Sequence, residues 1–404
     1  MTVTRRPLTP QQASEPRDAR LGRLPGRGRY CRVVERRRRL RNRPALSCLV
    51  IIVAVTVTAL GCGGRTPTRT AQPGAGATPS TRPGTSSDTA PAARPPETGG
   101  TPGRAALIDV AVATLWVGPG LARPIDAPSV TNPVDIARWV ATMNVADKQW
   151  LVGKLATQAL YGEPVVVMET RGAWTRVVVT DQPSSQDPRG YPGWLPTVQL
   201  TFHQGPNRGS SAVVNKPSTA LRDRLVPERS QLVVSYNTRL PVLSVAPAWT
   251  TVATPEGGQA LVASSDVEVG AAGNPSAKST GAELVRAAEM FSGLGYLWAG
   301  TSGFGYDCSG FTAAVYAAHG IIIPRDASDQ ATTGKPVAPG QLQPGDLLFF
   351  ASNGGRGLIH HVAMYVGGGL MIQSPATGST IETVPVGRLD RFAGEYWGAR
   401  RYLP

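Results

Sequence analysis

One cysteine falls between an aspartate and a serine, in the run Gly305-Tyr306-Asp307-Cys308-Ser309-Gly310-Phe311. Behind it, Phe311, Ala314, Val315 and Ala318 recur at i, i+3, i+4, i+7, the spacing of one buried helical face. Gly320 then supplies a C′ stop. The spacing predicts a helix with Cys308 at or just before its N-terminus. The unpaired N–H groups and the dipole of such a helix start favour negative charge and lower a thiol pKa. A nucleophile needs that setting. The bland alternative is a small buried hydrophobe, the ordinary role of an isolated cysteine.

A thiol nucleophile needs a base to take and return its proton. The chain has four histidines, His203, His319, His360 and His361. His319 rides on the same helix, about 16 Å from Cys308 at 1.5 Å per residue, and is out of reach. His203 is isolated. The other two open the alternating run His361-Val362-Ala363-Met364-Tyr365-Val366. A strand places Val362, Met364 and Val366 on one face, suited to a core. His361, Ala363 and Tyr365 share the other, suited to a cleft wall. His361 is therefore the candidate base and His360 its exposed neighbour. Gly367-Gly368-Gly369 turns the chain into a second strand, Leu370 to Ser374. There Gln373 pairs across from His361 and can hold the imidazole by its second nitrogen, the orienting role of a triad. The histidines come with no spaced carboxylate cluster, so no zinc motif forms and no metal or organic cofactor is expected.

The elements that position these groups belong to the last part of a 404-residue chain. Its net charge of +14 suggests nucleic acid at first sight. The first 44 residues, however, hold 14 Arg against three acids, which leaves only +3 for the rest. A phosphate-binding patch should lie on a folded face. This basic block instead precedes the apolar run Ala45 to Gly61. Basic flank, apolar stretch and small residues read as an export signal with the basic side retained in the cytoplasm. Ala59-Leu60-Gly61-Cys62 resembles a lipobox, with Ala59 where Leu is usual, so Cys62 is a candidate lipid acceptor. An uncleaved membrane anchor and plain secretion are the alternatives. The expected location is outside the cell, lipid-anchored at the membrane surface. Cys31 and Cys48 lie in the same segment, which leaves Cys308 as the one thiol of the folded part and excludes a disulfide there.

Residues 1–62 thus form the basic n-region and signal segment. Residues 63–104, rich in Pro, Thr, Gly and Ser, form a flexible linker. Residues 105–203 alternate in short stretches (ALIDVAVATLWV, PVVVME, AWTRVVVT), a pattern of strands. Two helical patterns interrupt them, one capped by Asn132 ahead of Pro133 and one beginning at Asn144. With Gly172-Ala173-Trp174 and Tyr191-Pro192-Gly193-Trp194, this region resembles bacterial SH3-like barrels. Residues 204–272 give a second set of short strands, read as a second SH3-like domain, with no tight repeat between the two. Residues 279–404 form the third domain, opening on a helix at about Gly281 to Ser292.

The motifs YLWAG, GYDCSGF, IPRDASDQ, LQPGDLLFF and HVAMYVGGGLMIQS together resemble the NlpC-type cell-wall cysteine peptidases, a branch of the papain-like fold. The resemblance spans about 120 residues. It implies an α+β papain-like peptidase domain, a Cys-bearing helix packed on an antiparallel sheet, beside two small all-β SH3-like barrels. It implies Cys308 as nucleophile, His361 as base and Gln373 as third residue, where the family often has His. The layout is similar to the γ-D-glutamyl-L-diamino-acid endopeptidase subgroup, which cuts peptidoglycan stem peptides carrying a free N-terminal L-Ala. By that likeness Asp307 and Ser309 contact the amino terminus and Trp298 lines the pocket. Asp326 is a binding acid beside Ala327, where Ser is frequent, and Glu163 and Tyr191 are contributed by the first SH3-like domain. Asp307 could equally be a plain helix N-cap. The partners implied are stem peptides or released muropeptides, and the membrane through the signal segment. Two rival functions remain open at this point. One is a wall-binding protein with a vestigial peptidase. The other is an acyltransferase or amidase on the same scaffold.

Overall fold

A computed structural model of the chain describes residues 100–203, 209–223, 232–271, 279–387, 392 and 394–404. The signal segment, nearly all of the linker and Cys62 lie outside the described residues. Among the described residues no helix is long and apolar enough to cross a membrane.

Alternation builds the first module. Ile108, Leu115, Val165, Val167, Val177, Val179 and Leu195 point inward and form one apolar cluster. Seven strands lie in one sheet, ordered Leu155–Leu160, Val112–Trp116, Tyr191–Pro196, Trp174–Val179, Pro164–Arg171, Ala105–Ile108 and Leu200–Thr201. The expected closed barrel is not formed, because the two end strands do not pair with each other. The edge strand Leu155–Leu160 serves the third domain instead. The Gln158 carboxamide oxygen accepts from the Thr301 backbone N–H at 3.2 Å and the Ser302 hydroxyl at 3.0 Å. The Leu155 carbonyl accepts from the Trp298 indole at 3.2 Å.

The helical insertion differs from expectation at one end. The helix Ile136–Thr142 starts at Asp135, whose carboxylate accepts from Arg138 N. Asn132 is drawn away, donating its side-chain amide to the Val198 carbonyl at 2.8 Å. The second helix, Val145–Trp150, is capped by Asn144 with Asp147 in a capping box, as its sequence predicts. A 3₁₀ segment, Pro124–Ser129, was not predicted. It carries buried Asp126, held by Arg123 and the Trp139 indole.

The second module repeats the first. Its order is Leu232–Ser235, Ser218–Asp223, Gln259–Ala263, Trp249–Ala253, Arg239–Val245, Ser210–Val214 and Val267–Ala271. Taken in chain order, this is the arrangement of the first module strand for strand, again without barrel closure. The sequence showed no such repeat, because an alternating apolar pattern specifies a strand and its buried face but no particular side chains.

In the third domain, the helix Gly281–Glu289 starts at a Thr280–Glu283 capping box. The helix Cys308–Ala318 packs on a six-stranded antiparallel sheet. The sheet order is Lys335–Val337, Tyr396–Arg401, Leu347–Ala351, Ile359–Gly367, Leu370–Gln373 and Glu382–Pro385. Phe311, Ala314 and Val315 meet Val362, Met364 and Ile372 in its core. The turn at Gly367, Gly368 and Gly369 has positive φ at all three positions, which only glycine adopts freely. Tyr236 of the second module enters this same core, edge-on to Phe291 at 5.2 Å.

The second module is thus part of the core of the third domain. We expect Tyr236→Ala to cost about 3 kcal/mol of stability, the scale of a large core truncation. Urea unfolding should show one shifted transition. Two transitions, with only the first displaced, would mean that the modules fold independently.

Candidate active site

Cys308 is the first residue of its helix, and Asp307 is the N-cap, with its carboxylate accepting from Gly310 N at 2.7 Å. Gly310 has no side chain because a Cβ there would collide with the Gly300 carbonyl. The helix start is thereby seated against the Tyr296-to-Gly300 loop. The helix ends at His319, with Gly320 at φ +78°. The His319 ring bonds back to the Val315 carbonyl at 2.8 Å, so it plays no part at Cys308.

The Cys308 sulfur lies against the backbone N–H of Val362, the residue after His361. Helix start and strand therefore meet where the nucleophile and base are expected. His361 is 1% exposed and stacks on Phe392 with ring centroids 4.3 Å apart. The rest of its strand face is not a cleft wall. Ala363 is fully buried in a second apolar cluster with Leu348, Phe350, Met371 and Phe392. His360 pairs with Glu395 at 3.0 Å, as an exposed neighbour would.

His361 Nε2 and Gln373 Oε1 are 2.8 Å apart. The strand register pairs Met364 with Ile372, so Gln373 stands beside Ala363 and meets the imidazole diagonally. Glu382, opposite Gln373 on the next strand, accepts from the Gln373 NH₂ group at 3.2 Å. That bond turns the amide oxygen toward His361. Nε2 must then carry the hydrogen, and Nδ1 is the basic nitrogen. Sequence reasoning missed Glu382. The hairpin register is the signal that finds it, and it restores behind the neutral amide a negative charge that Gln373 lacks.

The thiol does not follow the helix-dipole expectation. Cys308 keeps part of its surface open. Even so, burial, and next the Asp307 charge, push the thiol up to about 12. The N–H groups of Val362 and Ser309 and the Arg325 charge pull the other way without prevailing. At neutral pH the resting group is a thiol, and it must be deprotonated in the act of attack. Tyr296, read only as part of a motif, has its phenol held neutral by burial first and then by the charges of Cys308 and Asp307.

Around Asp307 the predicted binding residues converge on one that was not predicted, Arg325. It is 2% exposed and lies bidentate on Asp307, at 3.1 and 2.7 Å, with a third bond to Ser309 Oγ at 3.0 Å. Asp326 is more open and accepts from the Tyr191 hydroxyl at 3.1 Å and, at 3.4 Å, from Gln186. Burial raises its carboxyl above the usual range, and Arg325 opposes this. Asp307, Asp326 and Arg325 leave one net negative charge here. Trp298 packs among Trp116, Ile136 and Trp139 of the first module, so it joins two domains. Glu163 does not join Cys308. It lines a separate cavity of about 600 Å³ between the modules, with Asp181 and Arg239. There burial raises it to about 7. Among the described residues no cluster of metal-ligating groups occurs.

These shifts fix a pH dependence. With His361→Ala, alkylation of Cys308 by iodoacetamide should keep accelerating with pH toward about 12, since a raised pKa leaves the thiolate scarce below it. A plateau near pH 8 would show that burial does not control the thiol. Gln373→Leu should lower kcat by about 10²-fold, the scale of a general base's contribution.

The third domain matches the model of the NlpC/P60 family over residues 293–402. Residues 214–269 match the YKFC SH3b2 domain. The chain is 44% identical over 304 residues to a gamma-D-glutamyl-L-lysine dipeptidyl-peptidase of Bacillus cereus, covering 74% of this chain and 91% of that one. A protein of the same name from Bacillus subtilis is 39% identical over 67% of this chain and 90% of its own. The crystal structure of an NlpC/P60 family protein from Bacillus cereus superposes with a TM-score of 0.72 at 44% identity, covering 74% of this chain and all of that one. A helix-borne cysteine, a strand-borne histidine oriented by a polar side chain, and relatedness along nearly the whole length of these proteins agree: the chain belongs to the NlpC/P60 family.

Proposed function

We propose that the protein is a cysteine peptidase that hydrolyses peptidoglycan stem peptides between D-Glu, linked through its side chain, and the diamino acid that follows. The observation that carries this reading is the meeting of Cys308, at its helix start, with the strand of His361, whose imidazole Gln373 and Glu382 orient. The relatives' name supplies the bond.

In the reaction His361 Nδ1 takes the thiol proton as Cys308 Sγ attacks the amide carbonyl. The Cys308 backbone N–H, among the orphan donors of the helix start, faces the developing oxyanion. The imidazolium returns the proton to the leaving amine of the diamino acid, and the C–N bond breaks to leave a thioester. Water, deprotonated by His361, attacks the thioester. The carboxylic acid leaves and the thiol is restored.

A dipeptidyl-peptidase counts its cut from an amino terminus, which calls for an ammonium site. Asp326 and Tyr191 supply it best, since Arg325 already neutralises Asp307. We further propose that the enzyme is exported and lipid-anchored through Cys62, on the strength of Arg36 to Arg39, the apolar run Ala45 to Gly61 and the small residues before Cys62.

The test incubates the protein and its Cys308→Ala variant with L-Ala-γ-D-Glu-L-lysine, L-Ala-γ-D-Glu-diaminopimelate and their N-acetylated forms. Mass spectrometry should show L-Ala-D-Glu released from the free peptides only, and none with the variant. Asp326→Asn should raise KM for the free peptides by about 10- to 100-fold. Cleavage of acetylated peptides at equal rate would remove the ammonium site. Folded protein that cuts none of them would turn the reading toward wall binding or acyl transfer.

A further inference from the structure

We propose that Thr157 and Gln182, on the first SH3-like module, are positioning residues for catalysis: they orient Arg325, and through it the Asp307-Cys308-Ser309 helix start. The proposal rests on the peptidase reading above. It names two residues of a non-catalytic module that no part of that reading uses.

The bonds form one unbroken path between the modules. Gln182 Nε2 donates to the strand carbonyl of Gln158 at 2.7 Å and to Glu163 Oε1 at 3.0 Å. This fixes the amide and turns its oxygen to the Thr157 hydroxyl, which donates to it at 2.7 Å. With its proton committed there, Thr157 Oγ1 can only accept, and it accepts from Arg325 Nε at 3.1 Å. The far side of the same guanidinium holds both oxygens of Asp307 and the Ser309 hydroxyl. The Arg325 backbone N–H adds a bond to the Pro183 carbonyl at 2.9 Å, next to Gln182.

Geometry explains why the module matters. A planar guanidinium gripping one carboxylate by its two ends can still tilt about that carboxylate. The Ser309 bond comes from the same helix start as the carboxylate, so the fourth point, on Nε, is the one that ties the guanidinium to a second body, and that point belongs to the other module. Thr157 is fully buried and Arg325 2% exposed, so water does not replace the hydroxyl. Asp307 and Ser309 flank Cys308 directly. An ångström of tilt at Arg325 is therefore passed to the nucleophile, and displacements of that size cost about 10²-fold in rate. The Asp307 charge also opposes thiolate formation while Arg325 favours it, so a loosened Arg325 slows ionisation.

The experiment compares the full chain with Thr157→Val, which keeps the shape and loses the hydroxyl, Thr157→Ser, which keeps the hydroxyl, and Gln182→Leu. The readouts are kcat and KM on L-Ala-γ-D-Glu-L-lysine, the melting temperature, and the rate of iodoacetamide modification of the Cys308-containing peptide by mass spectrometry. Thr157→Val and Gln182→Leu should lower kcat about tenfold, move KM less than threefold, and slow alkylation at least threefold. Thr157→Ser should return all three to within about twofold of the parent. Equal kcat and equal alkylation in Thr157→Val and the parent would overturn the proposal. So would a Thr157→Ser variant as impaired as Thr157→Val, since packing alone would then be the cause. The alkylation arm needs no substrate. If the parent cuts no peptide, slower alkylation in Thr157→Val still upholds the positioning role, and unchanged alkylation ends it.

Discussion

A buried cation must find acceptors for its donors, and that constraint organises this molecule. Arg325 lies 2% exposed at the centre of the interface between the first module and the peptidase. Taking a charge out of water costs several kcal/mol, and removing one partner of such a pair costs about 3–5 kcal/mol. Asp307 and Ser309, on the peptidase side, meet only three of its N–H groups. Thr157, on the module side, meets the fourth. The loop around it is pinned by the same module, with Ser185 N donating to Asp329 and Tyr191 donating to Asp326. The helix start that carries Cys308 is therefore held by groups from two domains.

The electrostatics of Cys308 follow from the same burial. A helix N-terminus stabilises an anion by about 0.3–1 kcal/mol, well under one pKa unit. Desolvation shifts buried groups by up to several units. Burial wins here, and the N-cap Asp307 adds to it. A site of this kind holds a protonated thiol at rest and depends on its base. That makes the orientation of His361, through Gln373 and Glu382, a chemical requirement.

The two modules share one strand order and leave their end strands unjoined. Open edges invite unwanted pairing unless they are covered. In each module the third domain meets one of the two edges. Gln158 on one edge strand takes Thr301 and Ser302, and Ser235 on the equivalent strand of the second module takes Gly303 N at 2.8 Å. Residues 301–303, just ahead of Cys308, are thus held from both sides. A closed barrel would have no edge to offer.

The sequence by itself determined the helix that begins at Cys308, because Asp307, Cys308, the apolar spacing behind them and Gly320 are local signals that act over one or two turns. It determined the strand of His361 and its hairpin for the same reason, through the alternation from His361 to Val366 and the three glycines that force the turn. Strand pairing put Glu382 behind Gln373, and no local pattern encodes a register between separate strands. The tertiary structure alone decided the partners of Arg325, since Thr157 and Gln182 stand more than a hundred residues away and only docking brings them together. It also decided the protonation of Cys308. A pKa depends on everything that surrounds the sulfur, and most of those surroundings come from elsewhere in the chain.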